Sequence, residues 1–208
     1  MKAHTRETQA TLTPDKAIAF LKEGNERFQG NLKANRNLLE QVNDTSEGQF
    51  PFATILSCID SRVSAELVFD QGLGDVFSVR IAGNFVNEDI LGSMEFACKL
   101  AGTKLIVVLG HTSCGAIKGA CDGAEMGNLT KLIEKITPAV NAVSEPKDEG
   151  LRNSKNLDFV DSVSKKNVEL TIDRIHAESP ILTEMEKNGE IKIVGAMYDI
   201  NTGAVNFY

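Results

Sequence analysis

Residues 51–63 read PFATILSCIDSRV, and they join an apolar run to a group of chemically reactive side chains. The run over residues 52–56 is short and almost wholly apolar, which is typical of a strand buried on both faces. Cys58, Asp60 and Arg62 follow it at alternating positions. A thiol, a carboxylate and a guanidinium therefore stand at the end of a predicted buried strand.

Similar apolar runs recur along the chain and alternate with helical patterns. Further strands are predicted over residues 76–81, 104–109 and 191–197. Helices are predicted over residues 64–69, 88–101, 128–143 and 159–177, with a short helix beginning at Pro180. Strands that alternate with helices predict a single-domain α/β fold, in which a mainly parallel central sheet is flanked by helices on both faces.

The two ends of the chain have patterns of their own. Thr13-Pro14 is typical of a helix start, and a second polar helix is predicted over residues 32–42. Because both precede any strand, we expect residues 1–45 to form an N-terminal helical arm, outside the sheet or against a partner subunit, and residues 50–208 to form the α/β core. The closing residues 197–208, MYDINTGAVNFY, predict a strand, a turn and a short antiparallel edge strand.

Composition limits the possible partners. The 208 residues have a formal net charge of −7 and no run of basic residues, which argues against a nucleic-acid partner. No segment has the roughly 18–20 consecutive apolar residues of a membrane span, so no membrane partner is expected. The first thirteen residues lack the pattern of a secretory signal. We therefore expect a water-soluble protein of the cytoplasm.

A second group of reactive side chains follows the predicted strand over residues 104–109. Residues 110–116, GHTSCGA, contain His111 and Cys114. In parallel α/β sheets the carboxyl ends of the strands carry the ligand-binding loops, so these two side chains could meet Cys58 at one edge of the sheet. Two thiolates and one imidazole are three of the four ligands that zinc prefers, and an open fourth position is typical of catalytic sites.

Structural explanations stay open for each of these residues. A cysteine after a strand is often a small buried apolar residue, and we assign Cys98 and Cys121 to packing for that reason. His111 and Cys114 could belong to a turn whose thiol caps a helix. Asp60 and Arg62 could be a surface ion pair of little energy or a helix cap. The other histidines are less well placed: His4 lies in the N-terminal tail, and His176 is near the end of a long polar helix.

Three motifs taken together resemble those of the beta-class carbonic anhydrases. They are CIDSRV at residues 58–63, VRIAGN at residues 79–84 and GHTSCGA at residues 110–116, in this order and at family-like separations. Weaker similarity covers LKEGNERF at residues 21–28 and IVGAMYDINTGAV at residues 193–205. The resemblance therefore spans most of the chain.

The resemblance implies roles for individual residues. It makes Cys58, His111 and Cys114 the ligands of one zinc ion per subunit, and it makes Asp60 and Arg62 an aspartate–arginine dyad. It also implies that Gln49 donates a hydrogen bond to the substrate and that the Gly115 amide lies near the same pocket. Ile55 stands where members with a regulatory bicarbonate site have tryptophan, which implies that this site is absent.

The resemblance also implies an assembly. In the family the pocket lies at a dimer interface, so a homodimer or a dimer of dimers is expected, with the N-terminal helices embracing the partner. Phe85, Val86 and Phe96 are candidates for the apolar lining of the pocket, although core packing explains each of them nearly as well. Phe96 stands where many members have tyrosine, so any hydroxyl contact from that position is lost.

The implied function is the reversible hydration of carbon dioxide to bicarbonate and a proton, by attack of zinc-bound hydroxide. Asp60, held by Arg62, could orient the reactive water or could itself occupy the fourth zinc position at lower pH, and the sequence leaves this choice open. Two alternatives remain. The same fold and ligands serve hydrolases of carbon disulfide or carbonyl sulfide, and a non-catalytic zinc protein would close the site with a fourth protein ligand.

Overall fold

The computed structural model describes residues 2–208 and contains a five-stranded sheet that is parallel except at one edge. The strand order is β2-β1-β3-β4-β5, and only the β4–β5 pair is antiparallel. The strands are β1 (Ala53–Ser57), β2 (Val76–Arg80), β3 (Leu105–His111), β4 (Lys192–Tyr198) and β5 (Val205–Phe207). The predicted α/β fold and its antiparallel C-terminal edge strand are therefore confirmed.

Ten α-helices surround this sheet within the described residues. They are α1 (Arg6–Ala10), α2 (Pro14–Gln29), α3 (Leu38–Asp44), α4 (Ala65–Val68), α5 (Glu88–Glu95), α6 (Gly115–Cys121), α7 (Gly127–Glu134), α8 (Thr137–Ala142), α9 (Leu157–Glu178) and α10 (Pro180–Lys187). A π-helical turn, Phe96–Leu100, continues α5, and a short 3-10 turn, Glu149–Leu151, precedes α9. No helix within residues 2–208 is both long enough and apolar enough to cross a membrane.

Alternation along the strands divides the core into two layers. Ala53 and Ile55 in β1 point to the face covered by α2 and α4. Leu56 points to the opposite face, where it packs with residues of α5, α9 and α10. This period of two is what a strand covered on both faces requires. The α2 helix thus packs onto the sheet rather than extending away from it.

Two predicted helices are wrong in their bounds. The helix predicted over residues 32–42 begins only at Leu38, because the Asn37 side chain accepts a hydrogen bond from the Glu40 N–H and caps the helix there. The helix predicted over residues 128–143 is divided into α7 and α8. Pro138 has no N–H with which to continue the hydrogen-bond ladder of α7, so the chain turns and starts again.

The N-terminal tail is more ordered than the sequence suggests. Residues Arg6–Ala10 form α1, which begins with a capping box on Thr5. His4 stacks on the Phe20 ring at 5.9 Å between centroids and meets the Phe52 ring edge-on at 5.3 Å. Aromatic packing therefore holds His4 against the core. Met1, which belongs to the predicted arm, lies outside the described residues.

Candidate metal centre

The sheet order brings two chemically reactive loops together. Because β1 and β3 are adjacent and parallel, with Ser57 opposite Leu109, the loops that follow them leave from the same edge. The ligand atoms of Cys58, His111 and Cys114 all lie within 4.8 Å of one another, and the three residues are buried. Sequence positions more than fifty residues apart thus form one cluster.

The spacing of the two sulfurs suits a tetrahedral ion. Sγ of Cys58 and Sγ of Cys114 are 3.9 Å apart. Zinc–sulfur bonds of about 2.3 Å at tetrahedral angles place two sulfurs roughly 3.8 Å apart. The pair therefore has the separation that a shared zinc ion requires.

The His111 imidazole has one nitrogen with a partner and one without. Nδ1 is 2.9 Å from the Thr112 carbonyl oxygen, and because a carbonyl only accepts, Nδ1 carries the proton. Nε2 is buried and makes no hydrogen bond within the described structure. A buried nitrogen lone pair without a partner is costly, and a metal ligand that donates its other N–H to a carbonyl is the usual way to use one. The residues present therefore fit a zinc ion.

The Cys58 and Cys114 thiols affect each other's pKa. The contact with the Cys114 thiol is the main reason why the pKa of Cys58 is lowered; burial acts against this, and the backbone N–H of Gly83 lowers the pKa further. The same contact, together with burial, raises the pKa of Cys114, although backbone N–H groups at the start of α6 act against the rise. The two shifts run in opposite directions, so Cys58 ionises before Cys114, and a divalent cation would favour ionisation of both.

Asp60 faces Arg62. Nε of Arg62 donates to Oδ1 of Asp60 at 2.9 Å, Nη2 donates to Oδ2 at 2.7 Å, and the Arg62 backbone N–H donates to Oδ1 at 2.9 Å. These hydrogen bonds hold the pKa of Asp60 well below its usual range. Asp60 is therefore a carboxylate at neutral pH, and it is turned toward the guanidinium.

The predicted pocket residues lie in different surroundings. Gly115 is the exposed first residue of α6, and a Cβ added there would meet no atom within 4 Å. Phe85 is buried in the same apolar cluster as Cys58 and Cys114. Val86 belongs instead to the core layer that contains Leu56. Of the three apolar candidates, Phe85 is the one that packs with the cysteines.

Phe96 and Gln49 are separated from the cluster within this chain. The Phe96 side chain is 53% exposed and packs against Phe77, along a groove of about 750 Å³ beside the edge strand β2. Gln49 is exposed and precedes the amino end of β1, whereas Cys58 follows the carboxyl end. Five strand residues span roughly 17 Å. Gln49 therefore does not reach the cluster of its own chain.

Sequence reasoning missed the residue that holds the loop after β1. Nε of Arg80 donates to the Cys58 carbonyl at 3.0 Å, and Nη2 donates to the Asp60 carbonyl at 2.8 Å. The VRIAGN motif, which contains Arg80, was the available signal. The two remaining cysteines lie outside the cluster: Cys98 is buried beside Thr103, and Cys121 is half-buried at the end of α6.

Comparisons with known proteins agree with this geometry. The family model described as carbonic anhydrase matches residues 53–205. Carbonic anhydrase 2 of Mycobacterium tuberculosis is 37% identical over 196 residues, which cover 91% of this chain and 90% of that protein. A beta-carbonic anhydrase of Coccomyxa, solved with acetazolamide, aligns with a TM-score of 0.69 at 27% identity, covering 79% of this chain and 75% of that one. A tetrameric beta-carbonic anhydrase of Sordaria macrospora shares the fold at 22% identity, with a TM-score of 0.67 and coverage of 93% and 91%. The chain thus belongs to the beta-class carbonic anhydrase family.

Proposed function

We propose that this carbonic anhydrase hydrates carbon dioxide reversibly to bicarbonate and a proton, with one zinc ion held by Cys58, His111 and Cys114. The observation that carries the proposal is the buried cluster of three ligand atoms within 4.8 Å. It includes an imidazole nitrogen that has no other partner in the described structure. Zinc, when bound, lowers the pKa of a coordinated water so that it ionises near neutral pH.

The protein's own contribution lies in Asp60 and Arg62. Three hydrogen bonds from Arg62 keep Asp60 ionised and turned toward the guanidinium. Its carboxylate therefore remains an acceptor for a hydrogen bond from the reacting water. The same bonds keep Asp60 from serving as a ligand. In this role Asp60 orients the water's lone pair toward the carbon of carbon dioxide, and the released proton leaves to solvent or buffer.

A second copy of the chain would complete the substrate pocket. Gln49 stands at the wrong end of β1 to reach its own cluster, so we assign its amide to the cluster of a partner. Phe96 is exposed and suits an interface in the same way, with Phe85, Val86 and the Gly115 amide as the pocket groups of the first chain. The Sordaria enzyme is described as tetrameric, which supports a homodimer or a dimer of dimers.

Two alternatives make different predictions. A non-catalytic zinc protein needs a fourth protein ligand, but within residues 2–208 the cluster contains only three candidate ligands. A hydrolase of carbon disulfide or carbonyl sulfide would release sulfide from those substrates, whereas hydration of carbon dioxide releases a proton and no sulfide.

All four cysteines of the chain are free thiols, which supports a reducing, cytoplasmic location for the protein.

Stopped-flow mixing with dissolved carbon dioxide and a pH indicator tests the proposal. We expect rapid proton release from carbon dioxide by the zinc-loaded protein, and far slower sulfide release from carbonyl sulfide. The Cys114→Ser variant should lose both zinc and activity, whereas the matched variant Cys121→Ser should retain both. A chain that holds one zinc ion yet releases no protons at any pH from about 6 to 9 would overturn the proposal.

A further inference from the structure

The long helix α9 carries a row of polar side chains on a face that is otherwise apolar. Val160, Val163 and Val168 on this helix are fully buried among apolar neighbours. Four polar residues share this part of the helix at spacings of three or four, and each is hydrogen-bonded to backbone at the end of β3 or in the loops after β2 and β3: Asp161, Ser164, Asn167 and Thr171. Burying polar groups in such a layer is unfavourable unless they are hydrogen-bonded, so their partners are informative.

Two of these residues hold the loop after β3. The Ser164 hydroxyl donates to the His111 carbonyl at 3.0 Å, and the Asp161 carboxylate accepts from the Ser113 N–H at 2.7 Å. Ser113 has a φ of +54°, an unfavourable value for a residue with a Cβ. Thr112, which lies between His111 and Ser113, supplies the carbonyl that orients the His111 ring. The α9 helix therefore fixes the imidazole half of the centre.

Asn167, one turn further along α9, holds the loop after β2. Its Nδ2 donates to the Gly83 carbonyl at 2.8 Å. Gly83 lies in a turn closed by the Asn84 N–H and the Ile81 carbonyl at 3.0 Å, and its φ of +79° is the value that a type II turn requires at this position. A Cβ on Gly83 would lie 2.4 Å from Cδ1 of Ile136, so glycine is needed.

The turn over residues 81–84 also contacts the cysteine half of the centre. The Ile81 N–H, at the start of the turn, donates to the Ser57 carbonyl at 3.1 Å, and Ile81 packs against the buried cluster that contains Cys58. Arg80, just before the turn, holds the carbonyls of both Cys58 and Asp60. If the turn lost its anchor, Arg80 and Ile81 would no longer be held firmly against these carbonyls, and the Cys58 sulfur would move with its loop.

We propose that Asn167 is a positioning residue of the metal centre: its bond to the Gly83 carbonyl keeps the turn over residues 81–84 in the form that supports Cys58. Ser164 does the same for His111 from the preceding turn of the helix. One rigid helix thus sets the distance between the two halves of the site. The inference rests on the proposed zinc-binding role of Cys58, His111 and Cys114.

Metal affinity and a metal spectrum test the proposal without measuring activity. Zinc affinity is measured by competition with a chromophoric chelator, and the thiolate-to-metal absorption is recorded with cobalt(II) in place of zinc. We expect Asn167→Ala to weaken zinc binding about 10-fold or more and to shift the cobalt spectrum, as loss of a group that orients ligands generally does. The matched control is Ile175→Val, a buried apolar change two turns further along the same helix, whose side chain donates no hydrogen bond.

The possible outcomes separate this inference from the proposed function. Wild-type affinity and an unchanged cobalt spectrum in Asn167→Ala would overturn the inference alone, and so would an equal loss in Ile175→Val. A wild-type chain that binds neither metal would overturn the zinc-binding role, and the inference with it. If Asn167→Ala does not fold, Ser164→Ala carries the test, with weakened binding expected and unchanged binding contradicting the proposal.

Discussion

At the scale of single residues, the direction of the Asp60 carboxylate is the decisive feature of the site. Its sequence position allows it to face either a metal or Arg62, which lies two residues later. Three hydrogen bonds from Arg62, two of them from the guanidinium, make the second arrangement the one observed. Bidentate contact between a guanidinium and a carboxylate is geometrically specific, so Arg62 sets the orientation of Asp60 as well as its charge.

The Arg62→Ala substitution should separate metal binding from turnover. Because Arg62 is not among the clustered ligand groups, we expect the variant to retain its zinc. Without the guanidinium Asp60 is free to turn, and kcat should fall about 100-fold, the typical contribution of a positioned acid–base group. Zinc content by atomic absorption and stopped-flow rates on the same sample provide the measurement. Arg62→Lys, which keeps the charge but loses the bidentate geometry, is the control and should be intermediate; a fully active Arg62→Ala variant contradicts this role.

At the scale of elements, the close contact between α2 and α4 depends on the absence of a Cβ at Gly24. Gly24 in α2 lies so close to the end of α4 that a Cβ would be 1.8 Å from the Phe69 carbonyl oxygen. Asn25, the next residue, donates to the carbonyls of Val68 and Gly203. The Gly-Asn pair of the LKEGNERF motif therefore lets the helix meet backbone directly.

Two glycine-to-alanine changes in helices should have opposite effects. Gly24→Ala forces the helix away from Phe69 and should lower the free energy of unfolding by about 1–3 kcal/mol, as overpacking does. Gly92→Ala, in α5, meets no atom within 4 Å and should raise it by up to about 1 kcal/mol through helix propensity. Urea unfolding followed by circular dichroism measures both. An unchanged midpoint for Gly24→Ala would show that the two helices can separate without cost.

A buried ion cluster attaches the segment between α2 and α3 to the end of α4. Asp70 is 7% exposed and receives bonds from Nε of Arg27 at 2.6 Å, Nη1 of Arg36 at 2.7 Å and the Ala34 N–H at 3.1 Å. Burial alone would raise the pKa of Asp70, but these donors outweigh burial and lower it below the ordinary value. The folded state therefore favours the carboxylate.

Asp70→Asn should be destabilising, and the effect should depend on pH. At pH 7 we expect a loss of about 3 kcal/mol, because Arg36, whose side chain is only 6% exposed, loses its 2.7 Å ion pair with Asp70. Because the folded pKa of Asp70 is lowered, its contribution is complete above the unfolded value of about 4 and disappears as the pH falls below it. The free energies of unfolding of wild type and variant, measured with urea, should thus converge below about pH 4.

The control for Asp70→Asn is Glu149→Gln. The Glu149 side chain is 91% exposed, with its nearest cation, Arg152, at 3.9 Å. Exposed pairs of this kind contribute little, so we expect a change below about 0.5 kcal/mol at every pH. An Asp70→Asn loss that stays constant from pH 7 to pH 3 would contradict the linkage.

At the scale of the whole molecule, the separation of Gln49 from its own cluster predicts that active sites are shared between subunits. We propose to mix Gln49→Ala with Cys114→Ser, since the first lacks only the amide and the second lacks only the metal site. In a mixed dimer, the intact cluster of one chain would receive the intact Gln49 of the other. Random exchange in a twofold dimer should then restore about a quarter of wild-type activity.

The controls for this mixing experiment are the two variants assayed alone. Gln49→Ala should be impaired and Cys114→Ser inactive, so an increase on mixing reports mixed dimers. Activity equal to the sum of the separate samples, after exchange has been verified by mass spectrometry, would assign Gln49 to its own chain or to no site at all.

Local patterns allowed much of the fold to be predicted. The strands lie within two residues of their expected positions, because apolar β-branched runs between turn signals leave few alternatives. The errors occur where a distant or single residue intervenes: the Asn37 cap shortened one helix, Pro138 divided another, and Phe20 with Phe52 ordered His4. Packing contacts from distant parts of the chain are not encoded in local periodicity.

By itself, the sequence determined the fold class, the family and the residue types that gather at the strand ends, because strand periodicity and three ordered motifs are local properties. Only the tertiary structure decided that β1 lies between β2 and β3, which is what brings Cys58 to His111 and Cys114. It also decided that Asp60 faces Arg62 and that α9 holds both loops. These features depend on contacts between residues far apart in the chain, whose geometry is set when the layers pack together.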